Sequence, residues 1–149
     1  DTITAKLRLC ETADKLEEIV SSSFDQIEAW MKDQSNRRYR RKILEVMEYI
    51  DANLNRKLTL KEIADSIGMN ESSLSRLFKN ETGVNLNYYI NEKKMKKAME
   101  LLRGESSMIK DVAAAVGMDD QLYFNKVFKK YYNVSPSEFK KKLHPDTEE

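Results

Sequence analysis

A chain of 149 residues, 40% of them apolar, has room for one or two domains and for two small cores rather than one large one. Its single cysteine, Cys10, excludes an internal disulfide and a cysteine zinc cluster, and it fits a reducing compartment. The formal net charge of +1 divides unevenly: residues 1–35 carry 4 Lys+Arg against 8 Asp+Glu, a net of −4, and residues 36–149 carry 22 against 17, a net of +5. Only the later part has the sign that attracts a polyanion.

Helix formers dominate while glycine appears 4 times and proline 2 times, so an all-α fold is expected. No run of 18 apolar residues is present to span a membrane, and the N-terminus lacks the basic flank and apolar core of a signal peptide. Starting at Asp1 without methionine, the chain is expected to be part of a longer protein.

In chain order, residues 4–34 read as one long stalk helix without internal proline or glycine. Leu9, Ala13, Leu16, Val20, Ser23, Ile27 and Trp30 alternate in spacing between four and three, a short heptad seam. Such a face packs on its own domain, pairs with a second copy, or covers an upstream domain; three serines at 21–23 weaken the helix locally. A boundary is expected near Ser35, separating a stalk (1–35) from a second domain (36–149). Asn36 to Lys42, NRRYRRK, is either the solvated start of the next helix or an arm contacting phosphates through Arg38 and Arg41. The helix after it, Tyr39 to Asn53, is expected to bury Ile43, Leu44, Met47 and Ile50.

A first helix-turn-helix is predicted over about 59–80. Thr59 and Glu62 make a capping-box pattern, Ile63, Ala64 and Ile67 form the supporting stripe, and Gly68 stops that helix. Asn70 caps the second helix, whose inward set is Leu74, Leu77 and Phe78 and whose outward set is Ser72, Ser75, Arg76 and Lys79. A linker helix follows over about 87–102, with Ile90, Met95, Ala98, Leu101 and Leu102 inward and Lys93, Lys94, Lys96 and Lys97 on the polar side. A second helix-turn-helix is predicted over about 107–131. Ser106 or Ser107 caps it, and Ile109, Val112, Ala113 and Val116 form the stripe before Gly117. Asp119 or Asp120 then opens a helix with Tyr123 or Phe124, Val127 and Phe128 inward, and Gln121, Leu122, Asn125, Lys126 and Lys129 outward. Ser135-Pro136-Ser137-Glu138 begins a last helix, and the tail from His144 is expected to fray.

The two pairs repeat. An offset of 49 aligns Ala64 with Ala113, Gly68 with Gly117 and Met69 with Met118; beyond the turn an offset of 50 aligns Phe78 with Phe128 and Lys79 with Lys129. Both outward faces mix Arg or Lys with Ser, Asn and Gln, side chains suited to base edges and phosphates. Two such helices on one chain suit successive major grooves about 34 Å apart.

From about Arg41 to Lys142 the chain resembles the DNA-binding domain of the AraC/XylS family of bacterial transcription regulators. The resemblance rests on LTLKEIADSIGMNESSLSRLFKNETGVNLNYYI, KKMKKAMELL and IKDVAAAVGMDDQLYFNKVFKKYYNVSPSEFKK, in that order. It implies seven helices, a sequence-specific double-stranded DNA binder, activation more often than repression, RNA polymerase as a partner and a bacterial cytoplasmic location. It places Ser72, Ser75 and Arg76 on bases in the first unit, and Leu122, Asn125 and Lys126 in the second, with Gln121 near the helix entry. Arg38, Arg41, Lys79, Lys94 and Lys129 are expected on phosphates. Three departures are visible: Lys94 and Lys126 stand where arginine is usual, and Asn133 where glycine is frequent. Lysine lacks the rigid fork, so weaker discrimination by the second unit is expected. The stalk resembles that of receiver-linked members, with homodimerisation through the N-terminal helix coupling signal to affinity.

No cofactor is expected, and His144 beside Pro145 is no catalytic candidate. The rival readings are a helical protein-interaction module, in which the basic faces only solubilise, and an architectural DNA binder without sequence preference. An enzyme lacks an acid, base or metal-ligand set in these residues.

Overall fold

The structure, a computed structural model, describes residues 13–145. All regular structure among them is helical: α1 (Ala13–Ala52), α2 (Leu60–Ser66), α3 (Glu71–Thr82), α4 (Leu86–Leu102), α5 (Ile109–Ala115), α6 (Gln121–Tyr132) and α7 (Pro136–Leu143). The chain divides into two compact bodies between Arg41 and Lys42, so α1 contributes to both.

The helix expected to end at residue 34 instead runs on through Ser35 to Ala52. Residues 13–52 contain neither glycine nor proline, and Arg37 pairs with Asp33 one turn earlier at 2.9 Å, across Ser35. An i,i+4 pair and uninterrupted helix propensity outweigh the mild cost of Ser35 and Asn36. Arg38 and Arg41 therefore sit within a helix, not on an arm.

In the first body, Leu16, Val20, Ile27 and Trp30 are exposed, as are Phe24 and Met31 beside them. The Ser23 hydroxyl donates back to the Ile19 carbonyl at 2.7 Å, and the neighbouring Phe24 lies one turn after Val20 in the exposed apolar stripe. Leu9, the first residue of the predicted seam, lies outside the described residues.

In the second body, the last turns of α1 bury Ile43, Val46 and Ile50. Val46 replaces Leu44, which is exposed, because the buried set follows a 3.6-residue period from Ile43. These residues join Leu54, Ile63, Ala64, Leu74, Phe78, Leu86 and Ile90 in one core. A second core holds Met95, Ala98, Leu102, Val112, Ala113, Val116, Met118, Phe124, Val127 and Phe128. The linker helix α4 thus serves both, Leu86 and Ile90 on one side and Met95, Ala98 and Leu102 on the other. Leu101, expected inward, is 37% exposed.

Caps set the helix ends. Thr59 accepts from the Glu62 amide while the Glu62 carboxylate accepts from the Thr59 amide, and Ser135 and Glu138 repeat that box ahead of Pro136. Each such cap stabilises by about 1 kcal/mol. The Arg56 guanidinium and then the Thr59 amide hold the Glu62 carboxyl below the usual range, and the Ser135 amide does the same for Glu138. At α5 the cap is Met108, without a side-chain hydrogen bond, and not Ser106 or Ser107. Ser107 instead turns its hydroxyl to the Gly104 carbonyl. Asn133 closes α6 at φ 58°, the left-handed conformation that glycine usually supplies there. His144 is docked rather than frayed, its Nε2 lying 3.1 Å from the Arg103 carbonyl.

Candidate nucleic-acid interface

Both turn-borne helices are built alike. The Asn70 carboxamide oxygen accepts from the Ser73 amide at 2.8 Å, starting α3. Asp120, the later of the two candidates, accepts from Leu122 and Tyr123 at 2.9 and 3.1 Å, starting α6. Leu74 and Phe78 pin α3 to the first core; Phe124, Val127 and Phe128 pin α6 to the second. Tyr123 is therefore outward, half exposed, and Phe124 is the inward aromatic.

With those faces buried, the opposite ones are set by helix geometry. Ser72, Arg76 and Lys79 are exposed on α3 and Ser75 is half-buried; Gln121, Leu122, Lys126 and Lys129 are exposed on α6 and Asn125 is half-buried. The pattern matches residue for residue at an offset of 50. Leu122 is 80% exposed, a large apolar side chain on a polar surface and suited to a thymine methyl. Asn125 keeps a buried Oδ1 without a hydrogen-bond partner. Arg76 and Lys126 form no ion pair among the described residues, so their donors are available to a partner.

Arg38 and Arg41 are exposed on α1. Lys94 is not an interface residue. It is 3% exposed, and its Nζ donates to the carbonyls of Arg56 and Val116 at 2.7 and 2.6 Å. A phosphate cannot reach it, so the expected contact is corrected to a structural one. Burial, with the Arg56 guanidinium nearby, lowers its ammonium to about 8. The signal was in the spacing: Ile90, Lys94, Ala98 and Leu102 form one i,i+4 row, and three of the four are core residues.

Two further contacts are not visible in the sequence. Arg56, in the loop after α1, donates to Asn53, Glu62 and Tyr49 at 3.0, 2.6 and 3.0 Å. Those carboxylate and phenol partners hold its guanidinium above its ordinary range. Tyr131, at the end of α6, donates to the Tyr88 carbonyl of α4 at 3.2 Å, and the two rings lie 5.4 Å apart. Burial raises the Tyr131 phenol to about 12.

Two helix pairs on one shared helix, each offering a capped, polar second helix, define a tandem helix-turn-helix DNA-binding domain. The family model described as a helix-turn-helix domain matches residues 63–142. The Msm operon regulatory protein of Streptococcus mutans is 29% identical over 111 residues, 74% of this chain and 40% of that protein. The lactose operon transcription activator of Staphylococcus xylosus is 32% identical over 98 residues, 66% of this chain and 35% of that protein. Among solved structures, the C-terminal domain of AraT, a response regulator from Geobacillus stearothermophilus, is 31% identical with a TM-score of 0.66, covering 68% of this chain and 84% of that one. This chain belongs to the AraC/XylS family of transcription regulators. It spans two fifths or less of the length of these two curated relatives. Among the described residues no helix is long and apolar enough to cross a membrane.

Proposed function

We propose that this chain is the DNA-reading part of a bacterial, cytoplasmic transcription activator that places α3 and α6 in successive major grooves of one duplex. The observation that carries the reading is the matched pair of outward faces, Ser72, Ser75 and Arg76 against Leu122, Asn125 and Lys126, on helices held by a common spine. Arg76 makes the heaviest base contact because its planar fork reads two acceptors of guanine at once, which Lys126 cannot do. Gln121 reads at the entry of α6. Lys79, Lys129, Arg38 and Arg41 neutralise phosphates. The role is binding, not catalysis.

The exposed stripe Leu16, Val20, Phe24, Ile27 and Met31, with Trp30 beside it, favours pairing of α1 with a second copy. Upstream, the likeness to a response regulator's C-terminal domain favours an attached receiver, and the likeness to an operon activator favours contact with RNA polymerase. Selection from a random duplex library with the full chain tests the reading. The expected result is enrichment of a motif spanning about two helical turns. Uniform binding refutes sequence reading, and no binding leaves a protein-interaction module.

A further inference from the structure

α4 meets two cores, and between Ile90 of the first and Met95 of the second stands one buried cation, Lys94. Its ammonium is shared between two carbonyls that belong to different halves: Arg56 precedes the first helix-turn-helix, and Val116 caps α5 of the second. Arg56 is itself immobilised through Asn53, Glu62 and Tyr49, which ties the junction to α1 and α2. On the other side the backbones touch. A Cβ on Gly117 would lie 2.3 Å from the Arg56 carbonyl carbon, whereas one on the repeat-equivalent Gly68 would meet nothing within 4 Å. At the far end of α6, Tyr131 is tethered to the Tyr88 carbonyl on the first half of α4. The second recognition helix is thus fastened to the first half near both of its ends.

We propose that Lys94, acting with the Arg56 carbonyl, Gly117 and the Tyr131 tether, is a positioning residue that fixes α6 relative to α3 and thereby sets the separation of the two DNA boxes this chain accepts. The proposal rests on the reading that both helices engage one duplex. Apolar contact between two bodies tolerates sliding, but a buried ammonium divided between two carbonyls is satisfied in one arrangement only. The tolerance needed is tight: one added base pair moves the second box by about 3.4 Å along the axis and turns it by about 35° around it.

The test uses the full chain and duplexes carrying both selected boxes at the native separation, one base pair shorter and one longer. Wild type is expected to lose about tenfold or more on either altered duplex, the scale of a mismatched base pair. Lys94→Met keeps the stem volume and removes both hydrogen bonds. It is expected to bind the three duplexes within about threefold of one another, with unchanged base preference inside each box, and Lys94→Arg is expected to restore the tenfold preference. Tyr131→Phe removes only the second tether and is expected to give an intermediate spread; it decides the matter should Lys94→Met fail to fold by circular dichroism. Retention of the full spacing preference by a folded Lys94→Met, or by Tyr131→Phe in its stead, overturns the proposal. Wild type that selects only a single box overturns the two-groove reading beneath it as well.

Discussion

Gly68 and Gly117 end the supporting helices of the two units at φ 64° and 67°, so alanine at either position meets the same backbone strain. For an L-residue that conformation costs about 1–2 kcal/mol. At Gly68 nothing else is added, because the new methyl points into open space. At Gly117 the methyl would sit 2.3–2.5 Å from the carbonyl carbon, oxygen and Cα of Arg56, atoms of the main chain that cannot rotate aside. Forced separation of packed segments costs roughly 1–3 kcal/mol more, before the Lys94 hydrogen bond to Val116 is counted. Thermal unfolding of the two variants by circular dichroism reads the difference. With about 4–8 °C per kcal/mol for a domain near this size, Gly68→Ala is expected to lower Tm by roughly 5–15 °C, and Gly117→Ala by about twice as much or to abolish cooperative unfolding. Equal shifts, or a larger one for Gly68→Ala, would show that the two halves do not meet at Arg56 as described.

Arg76→Ala is expected to cost roughly 1–3 kcal/mol on the selected duplex and to relax one or two base positions; equal losses on selected and scrambled duplexes refute base reading. Arg38→Ala and Arg41→Ala should weaken all sequences alike, and binding isotherms over a salt series should show a flatter slope by about one for each. Lys94 gives a pH signature. Its folded pKa of about 8 lies below the ordinary 10.5, so below pH 8 both states carry the proton and the burial penalty is present in full. Between pH 8 and 10.5 the unfolded chain keeps a proton the native state has shed, so stability rises with pH and then levels. Denaturant titrations of wild type and Lys94→Met should therefore diverge in favour of wild type over that window, by up to roughly 3 kcal/mol. A flat difference sinks the assignment.

What was legible beforehand is what local chemistry writes down. Thr59 with Glu62, Asn70, and Ser135 with Pro136 announce helix starts within four residues of themselves, and each is realised as a cap. The recognition faces follow from the periodicity of Leu74 and Phe78 and of Phe124 and Phe128, which leaves their opposite sides outward. Charge alone does not locate a residue. The basic run after Ser35 contains no helix breaker, and Asp33 pairs with Arg37 across Ser35, so one helix continues where two were expected. Lys94 carries a charge suited to phosphate, but its i,i+4 row is that of the core. Its two acceptors stand 38 and 22 residues away in the chain, and such distant pairing leaves no local trace. Met108 shows a further limit: Ser106 and Ser107 have the right chemistry for a cap, but the chain turns past them first.

The sharing of α4 bears on how such a protein can change over generations. A duplicated segment ordinarily stays separable, since each copy carries its own interior. Here the two interiors share a common axle, with Leu86 and Ile90 facing one and Met95, Ala98 and Leu102 the other. A deletion that discards either copy leaves the survivor with a strip of bare greasy side chains along its edge. Losing either half is therefore costly, whereas the outward residues of α3 and α6 can be exchanged without disturbing the shared helix.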